Sequence, residues 1–399
     1  MNAMAWSDLP VDRPLRILAV VEWYPPAYRA GGPIRSVHNL MRLLQAQTPH
    51  HLEVVCGNRD LGASEPLEGV PIDAPHDQDG IAVTYRSEVS LAWWREKLRG
   101  SDDAPAPDVL YLNSLFSVPF ALQPLRAARE LGIRVVLAPR GMLGAGALAI
   151  KPVKKKLFLT VARWAGWFRD VRWHASTGVE AADVRKGFPH ANIAVAQNVP
   201  LPVTSHFPAP AGGEIVWVVL GRIHPIKNLH FALEALHDVD LVGRELVVEL
   251  VGPAEDEAYL KELLGMAKPG LKVVHRGPVP PKELGEVWGR VHALLMPTTH
   301  ENFGHAVVEA WAHGRPVLLS DQTPWRDLKR NDLGWELPLD RDAWVEGLSE
   351  ALNWSPDTWA RMSEACRARH RVLVEDPKLV AANRALFECP SLGSPGPTA

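Results

Sequence analysis

Cysteine is nearly missing from this chain: Cys56, Cys366 and Cys389 are the only three among 399 residues. Three scattered thiols exclude a disulfide framework and a structural zinc site, and they read as reduced. Long apolar runs are missing too, since no stretch approaches the ~20 residues that span a bilayer. Residues 1–14 carry Asp8, Pro10 and Asp12 without an apolar core, so no secretory signal is expected there. The expectation is a cytoplasmic protein, or one peripheral on the inner face of the plasma membrane. Charge of one sign is also scarce, with a formal net of -3, which argues against nucleic acid as a partner. The first half is net basic and the second net acidic, which suits an anionic surface or substrate on the N-terminal side. No Walker A loop is present. Gly144 to Ala149 fits the dinucleotide fingerprint formally, but it lies far beyond its strand and lacks an acid about 20 residues on. No histidine pairs with a second ligand at metal spacing, so no metal and no cofactor is expected.

What is there is alternation. Leu15 to Val21 is a continuous apolar run, as in a strand buried on both faces, and Ile34 to Leu44 has helical spacing. Further strands are expected at Leu52–Cys56, Ile81–Tyr85, Val109–Asn113, Val135–Ala138 and Ile193–Ala196, most of them separated by helices. A Pro/Gly-rich stretch over 200–213 marks a hinge. The pattern then restarts, with strands at Ile215–Leu220, Leu246–Val251, Lys272–His275, Val291–Met296 and Pro316–Ser320. The fold class is therefore α/β, two Rossmann-like domains facing each other across a cleft. The expected boundaries are a flexible leader over 1–14, an N-terminal domain over 15–205 and a C-terminal domain over 206–389. The last helix is free to cross back to the N-terminal domain, and 390–399 is a disordered tail.

The densest chemistry lies between Met296 and Asp327. Two carboxylates, Glu301 and Glu309, bracket Asn302, Phe303 and Gly304, and a helix is expected from Gly304 to Gly314. Loop, helix and strand in that order put a helix N-terminus at the ligand-binding edge of a parallel sheet, where free N–H groups attract phosphate. Fixed acids beside it accept hydrogen bonds from sugar hydroxyls, so the combination points to a nucleotide sugar. Gly221, Arg222 and Lys227 follow the first strand of the second half, and a guanidinium and an ammonium reaching one point suit a diphosphate. Gly31 and Gly32 follow the first strand of the first half, where small residues let backbone N–H groups approach a phosphate.

The segment resembles the donor site of the retaining glycosyltransferases of family 4, which have the GT-B architecture. The resemblance covers roughly residues 15–385, and the sequence from Ser320 to Asp327 is similar to transferases of bacterial surface and exopolysaccharide biosynthesis. It implies that Arg222 and Lys227 bind the donor diphosphate and stabilise the leaving group, that Glu301 faces the transferred sugar, and that Glu309 holds the ribose. Gly31, Gly32, Gly221, Asn302, Phe303 and Gly304 complete the implied donor site. Catalysis would fall to Arg222, Lys227 and Glu301, with a donor phosphate oxygen taking the acceptor proton. On the acceptor side it implies Asn113 and Arg140. Many relatives carry histidine where Asn113 stands, and asparagine cannot take a proton. Arg140, in the run Pro139-Arg140-Gly141, reads as a contact to the acceptor or to the strand-end loop, or as one half of a structural salt bridge.

The implied partners are a nucleotide sugar and a glycan or lipid-linked acceptor. Lys151 to Trp173 interleaves cations with aromatic residues at helical spacing. Its first part, Lys151–Phe158, reads as a peripheral contact with anionic membrane, and Trp164–Trp173 as a side turned to the domain core. Two alternatives stay open: a GT-B nucleotide-sugar epimerase or hydrolase, and a non-catalytic polysaccharide-assembly subunit.

Overall fold

The computed structural model describes Trp6 and residues 13–149, 151–203, 207 and 213–388. All but three residues of the expected leader, the tail over 390–399 and much of the hinge lie outside them.

The chain divides into two compact units. The first comprises Met1–Ala27, Pro33–Val199 and Pro377–Ala399, and the second Tyr28–Gly32 with Pro200–Asp376. Eight strands form the sheet of the first unit: β1 (Arg16–Val20), β2 (His51–Gly57), β3 (Pro75–Gln78), β4 (Ile81–Arg86), β5 (Val109–Leu112), β6 (Arg134–Leu137), β7 (Val171–Ala175) and β8 (Asn192–Val195). Their order is β3-β4-β2-β1-β5-β6-β7-β8, parallel except for the β3–β4 pair. The helices between them are α1 (Gly32–Gln47), α2 (Leu91–Arg99), α3 (Gln123–Leu131), α4 (Ala145–Ala149), α5 (Pro152–Trp164) and α6 (Gly178–Gly187).

The second unit has six parallel strands: β9 (Glu214–Leu220), β10 (Glu245–Val251), β11 (Leu271–Gly277), β12 (Ala293–Met296), β13 (Val317–Ser320) and β14 (Gly334–Leu337). They run in the order β11-β10-β9-β12-β13-β14. Its helices are α7 (Leu229–Asp238), α8 (Glu257–Leu264), α9 (Leu284–Arg290), α10 (His305–Ala312), α11 (Arg341–Leu352) and α12 (Pro356–Glu375). A last helix, α13 (Pro377–Arg384), belongs to the first unit.

Alternation of side chains explains the apolar runs. Ile17 and Ala19 enter one core cluster of the first unit, Leu18 and Val20 another, so β1 is buried on both faces. Trp217 and Val219 face one cluster of the second unit, Val216 and Val218 the other. Leu386 and Phe387, fully buried, fasten the chain end into the first unit, where Phe387 meets Tyr111 edge-on at 5.5 Å.

The segment 151–173 departs from a single interfacial or core helix. α5 stops at Trp164, and Val171–Ala175 is the core strand β7. Trp164, expected against the core, is 91% exposed, whereas Phe168 and Trp173 are buried. α5 has two apolar faces. Phe158, Leu159 and Ala162 pack inward; Val153, Leu157 and Val161 stand out, 79%, 64% and 44% exposed. Together with Trp164 these three recur at helical spacing and make one outward stripe.

Candidate active site

The residues expected on the donor side are placed by the loops that leave β9 and β12. After β9, Pro225–Lys227 forms a single 3₁₀ turn that starts at His224, whose Nδ1 accepts the Ile226 N–H at 3.1 Å. The Ile226 carbonyl then accepts from Thr299 N at 3.1 Å and Thr298 Oγ1 at 3.2 Å. Those contacts stitch the Lys227 turn to the loop after β12. As a result Lys227 Nζ lies 2.7 Å from Glu301 Oε2, with the two side chains 21% and 19% exposed. Burial pushes the Glu301 carboxyl up, but the Lys227 ammonium, with help from His305 and the Phe303 N–H, holds it below the ordinary carboxylate range.

The loop carrying Glu301 is rigid for reasons the motif alone does not reveal. Glu301 N donates to Gln322 O at 3.0 Å, and the Trp325 indole N–H donates to Phe303 O at 2.6 Å. Trp325 also meets the Phe303 ring at 5.4 Å and Trp311 at 4.9 Å. Gly304 turns the chain into α10 with φ +80, a conformation that disfavours any side chain, and an added Cβ would lie 3.2 Å from Val307 Cγ2. α10 itself buries Val307, Val308 and Trp311, while Glu309 remains half-buried on the same helix.

Arg222 and Lys227 do not share one carboxylate. Arg222 pairs with Glu255 at 2.8 Å and is 45% exposed. The loops after β9 and β10 approach closely here: a Cβ on Gly252 would come within 1.9 Å of Gly221 O, so that position is confined to glycine. Gly31 has φ +69 with open space around it, and Gly32 is the first residue of α1. Tyr28–Gly32 falls with the second unit.

A second polar cluster sits at the C-terminal edge of the first unit's sheet. Arg140, with φ +53, donates from Nε to Asn113 Oδ1 at 2.5 Å, from Nη1 to Asn198 Oδ1 at 2.5 Å and from Nη2 to Tyr111 Oη at 2.6 Å. No carboxylate among the described residues lies within ion-pair distance of it, so Arg140 is not half of a salt bridge. Tyr111 Oη lies 2.9 Å from His174 Nδ1, and His174 Nε2 lies 2.8 Å from Ala196 O. The neighbouring Glu180, itself buried, accepts from Gly141 N at 2.5 Å and from Ser176 N and Oγ at 2.7 and 2.8 Å. Among the described residues no group of three or more His, Cys, Asp or Glu is spaced to hold a metal ion.

Two sheets with their polar side chains gathered at the strand ends, one of them bearing the Lys–Glu pair, can now be set beside known proteins. A family model described as glycosyl transferases group 1 matches residues 205–369, and one described as glycosyl transferase 4-like domain matches residues 31–214. Residues 205–369 belong to the glycosyl transferases group 1 family, and the two models together span residues 31–369. The chain is 31% identical over 106 residues to a 2-deoxystreptamine glucosyltransferase of Streptomyces kanamyceticus, a match spanning 27% of each chain. It is 30% identical over 118 residues to a D-inositol 3-phosphate glycosyltransferase of Nocardia farcinica, covering 28% of this chain and 26% of the relative. The match thus spans about a quarter of these curated relatives. Solved structures share the GT-B fold of this chain. Sucrose-phosphate synthase of Thermosynechococcus elongatus has a TM-score of 0.67 at 14% identity, over 94% of this chain and 98% of its own. Anabaena HepE in complex with UDP and glucose has 0.65 at 14% identity, over 93% and 98%. WaaG, involved in lipopolysaccharide biosynthesis, has 0.58 at 15% identity, over 95% and 100%.

Sequence reasoning missed Trp325 and Gln322 as supports of the Glu301 loop, and Tyr111 and His174 as the polar floor of the first unit's strand ends. Trp325 stood inside the quoted motif, three residues beyond Gln322, and its indole was the available signal. The partners of Tyr111 are distant in sequence and leave no local pattern.

Proposed function

We propose that this glycosyltransferase moves a sugar, with retention of its anomeric configuration, from a nucleoside-diphosphate sugar to a glycan or lipid-linked acceptor in surface polysaccharide synthesis. The observation that carries the reading is the Lys227–Glu301 pair, 2.7 Å apart, joining the turn after β9 to the loop that opens α10 at the C-terminal edge of a parallel sheet. A mobile cation held by an acid that can also accept from a sugar hydroxyl suits a site that must bind phosphate and polyol together. Once a diphosphate arrives, Lys227 has a second anionic partner, and its charge opposes the charge that builds on the leaving oxygen. Arg222, half-exposed beside Glu255, supplies a second cation from the same loop. Glu309, inside α10, holds the ribose hydroxyls, and the N–H groups of Asn302 to Gly304 assist at the sugar.

The chain offers no evident side-chain nucleophile for a double displacement, so the acceptor hydroxyl attacks from the face the diphosphate leaves, and a phosphate oxygen takes its proton. HepE is described with UDP and glucose, and WaaG with lipopolysaccharide biosynthesis; both support this class of donor and acceptor without fixing either here. The cation-flanked outward stripe of α5 supports work at an anionic lipid surface on the inner face of the membrane.

The test is transfer of label from sugar-labelled UDP-glucose, and from its GDP, ADP and TDP counterparts, to the organic phase of a total lipid extract. Label in that phase with the wild type, reduced about a hundredfold or more in Lys227→Ala, is expected. Label that isomerises without transfer in incubations with donor alone would replace the reading with an epimerase.

A further inference from the structure

The relay beneath Arg140 has a fixed direction. A carbonyl only accepts, so His174 must donate from Nε2 to Ala196 O. The ring is fully buried, and that burial, with Arg140 nearby, pushes its pKa down to about 3. It is therefore neutral, and Nδ1 is an acceptor that the Tyr111 hydroxyl must fill. The Tyr111 oxygen in turn accepts from Arg140 Nη2. The same logic fixes both asparagines. A guanidinium only donates, so the atoms facing Arg140 at 2.5 Å are the amide oxygens of Asn113 and Asn198. Their amide nitrogens are therefore left for other acceptors. That of Asn113 has only a long contact, 3.4 Å, to Pro33 O, and that of Asn198 has no acceptor among the described residues.

The backbone adds a separate observation. Arg140 has φ +53 and Gly141 has φ +75, and a long side chain rarely adopts left-handed geometry. Such strain persists where surrounding contacts over-determine it. Here they fix the guanidinium through three hydrogen bonds to neutral acceptors.

We propose that Tyr111 and His174 are positioning residues whose relay holds Arg140 and, through it, turns the amide nitrogens of Asn113 and Asn198 outward as a two-donor seat for an electron-rich oxygen of the acceptor. The seat rests on the transferase reading above, and it gives that reading a specificity determinant.

Two measurements test it. The first needs no substrate. In protein labelled with ¹⁵N in asparagine side chains, Tyr111→Phe removes one hydroxyl from the relay. The Asn113 and Asn198 amide resonances should shift, and their exchange with water should quicken about tenfold. Unchanged signals at both would overturn the relay whatever the enzyme transfers. The second uses Asn113→Asp and Asn198→Asp, which keep an oxygen for Arg140 and replace the outward donor with an acceptor. Thermal stability and nucleotide affinity should stay at wild-type values. Hydrolysis of the bound nucleotide sugar, with water as the acceptor probe, should fall about ten- to a hundredfold in each. Wild-type hydrolysis in both Asp variants would show that the amides serve structure alone and would sink the seat. A wild type that binds no nucleotide sugar would instead fail the transferase reading and leave the first measurement to decide the relay.

Discussion

At the scale of single residues, the donor loop depends on a few contacts that exclude substitutes. Gly304 enters α10 with φ +80, and its would-be Cβ lies 3.4 Å from both Glu301 Cγ and Trp325 Nε1. Gly304→Ala should therefore keep the fold, at a cost of about 1–2 kcal/mol, while displacing Glu301 and weakening donor binding; a calorimetric titration matching wild type would contradict this. His174 carries a pH dependence. Its pKa in the fold is about 3, against 6.5 for the free side chain, so the unfolded chain binds a proton there that the native state does not. Stability then falls as pH drops below about 6.5, by about 1.4 kcal/mol per unit from this residue, and the loss ends near pH 3. His174→Gln retains a donor and an acceptor but cannot charge. Its denaturation midpoint should fall less steeply between pH 6 and 4 than that of the wild type, and equal slopes would remove His174 as the cause. Arg222, Lys227, Glu301 and Glu309 stand out in the sequence because the chemistry expected of them is local to two loops, and the structure brings Lys227 and Glu301 together. The Tyr111–His174–Arg140 chain could not, because its members meet only through the register of β5, β6 and β7.

At the scale of elements, the apolar runs announced their strands, and both sheets follow from them. β7 was hidden because Arg172 and His174 break its apolar character, although both are buried: Arg172 donates to Ala385 O and Leu386 O, and His174 joins the relay. β3 and β14 are short and carry polar or glycine residues, which gives them no period to read. α5 was misjudged at Trp164 because a helix with two apolar faces does not say which one is inside. Its outward stripe is bordered by Lys154 on one side and by Lys156 and Arg163 on the other, with no acid between Lys151 and Arg169. The protein should float with vesicles containing phosphatidylglycerol and much less with phosphatidylcholine alone. Leu157→Glu together with Trp164→Glu should abolish flotation while leaving nucleotide affinity intact. Retained flotation in that variant would move any membrane contact to another surface. The chain end supplies another element-scale expectation. Phe387 is fully buried against Tyr111, so Phe387→Ala should cost about 3–5 kcal/mol, read as a lowered urea midpoint. A shift below about 1 kcal/mol would mean the end is not fastened as described.

At the scale of the whole molecule, the chemistry divides between two sheets. The second unit gathers the Lys–Glu pair, the half-exposed arginine and the N-terminus of α10. The first gathers neutral amides around a cation that is held without a carboxylate. The division was legible because two strand–helix series restart after a Pro/Gly stretch. The return of α13 to the first unit left only an open expectation, since a helix records its own apolar face and not the sheet that covers it. Sugar transfer as proposed rests on binding of a nucleoside diphosphate to the second unit through Lys227. It is tested most directly by calorimetric titration with UDP, GDP, ADP and TDP, in wild type and in Lys227→Ala. One of the four should bind in preference to the others, and the variant should weaken it about tenfold or more. Binding of none of the four, or equal affinity in the two proteins, would contradict it.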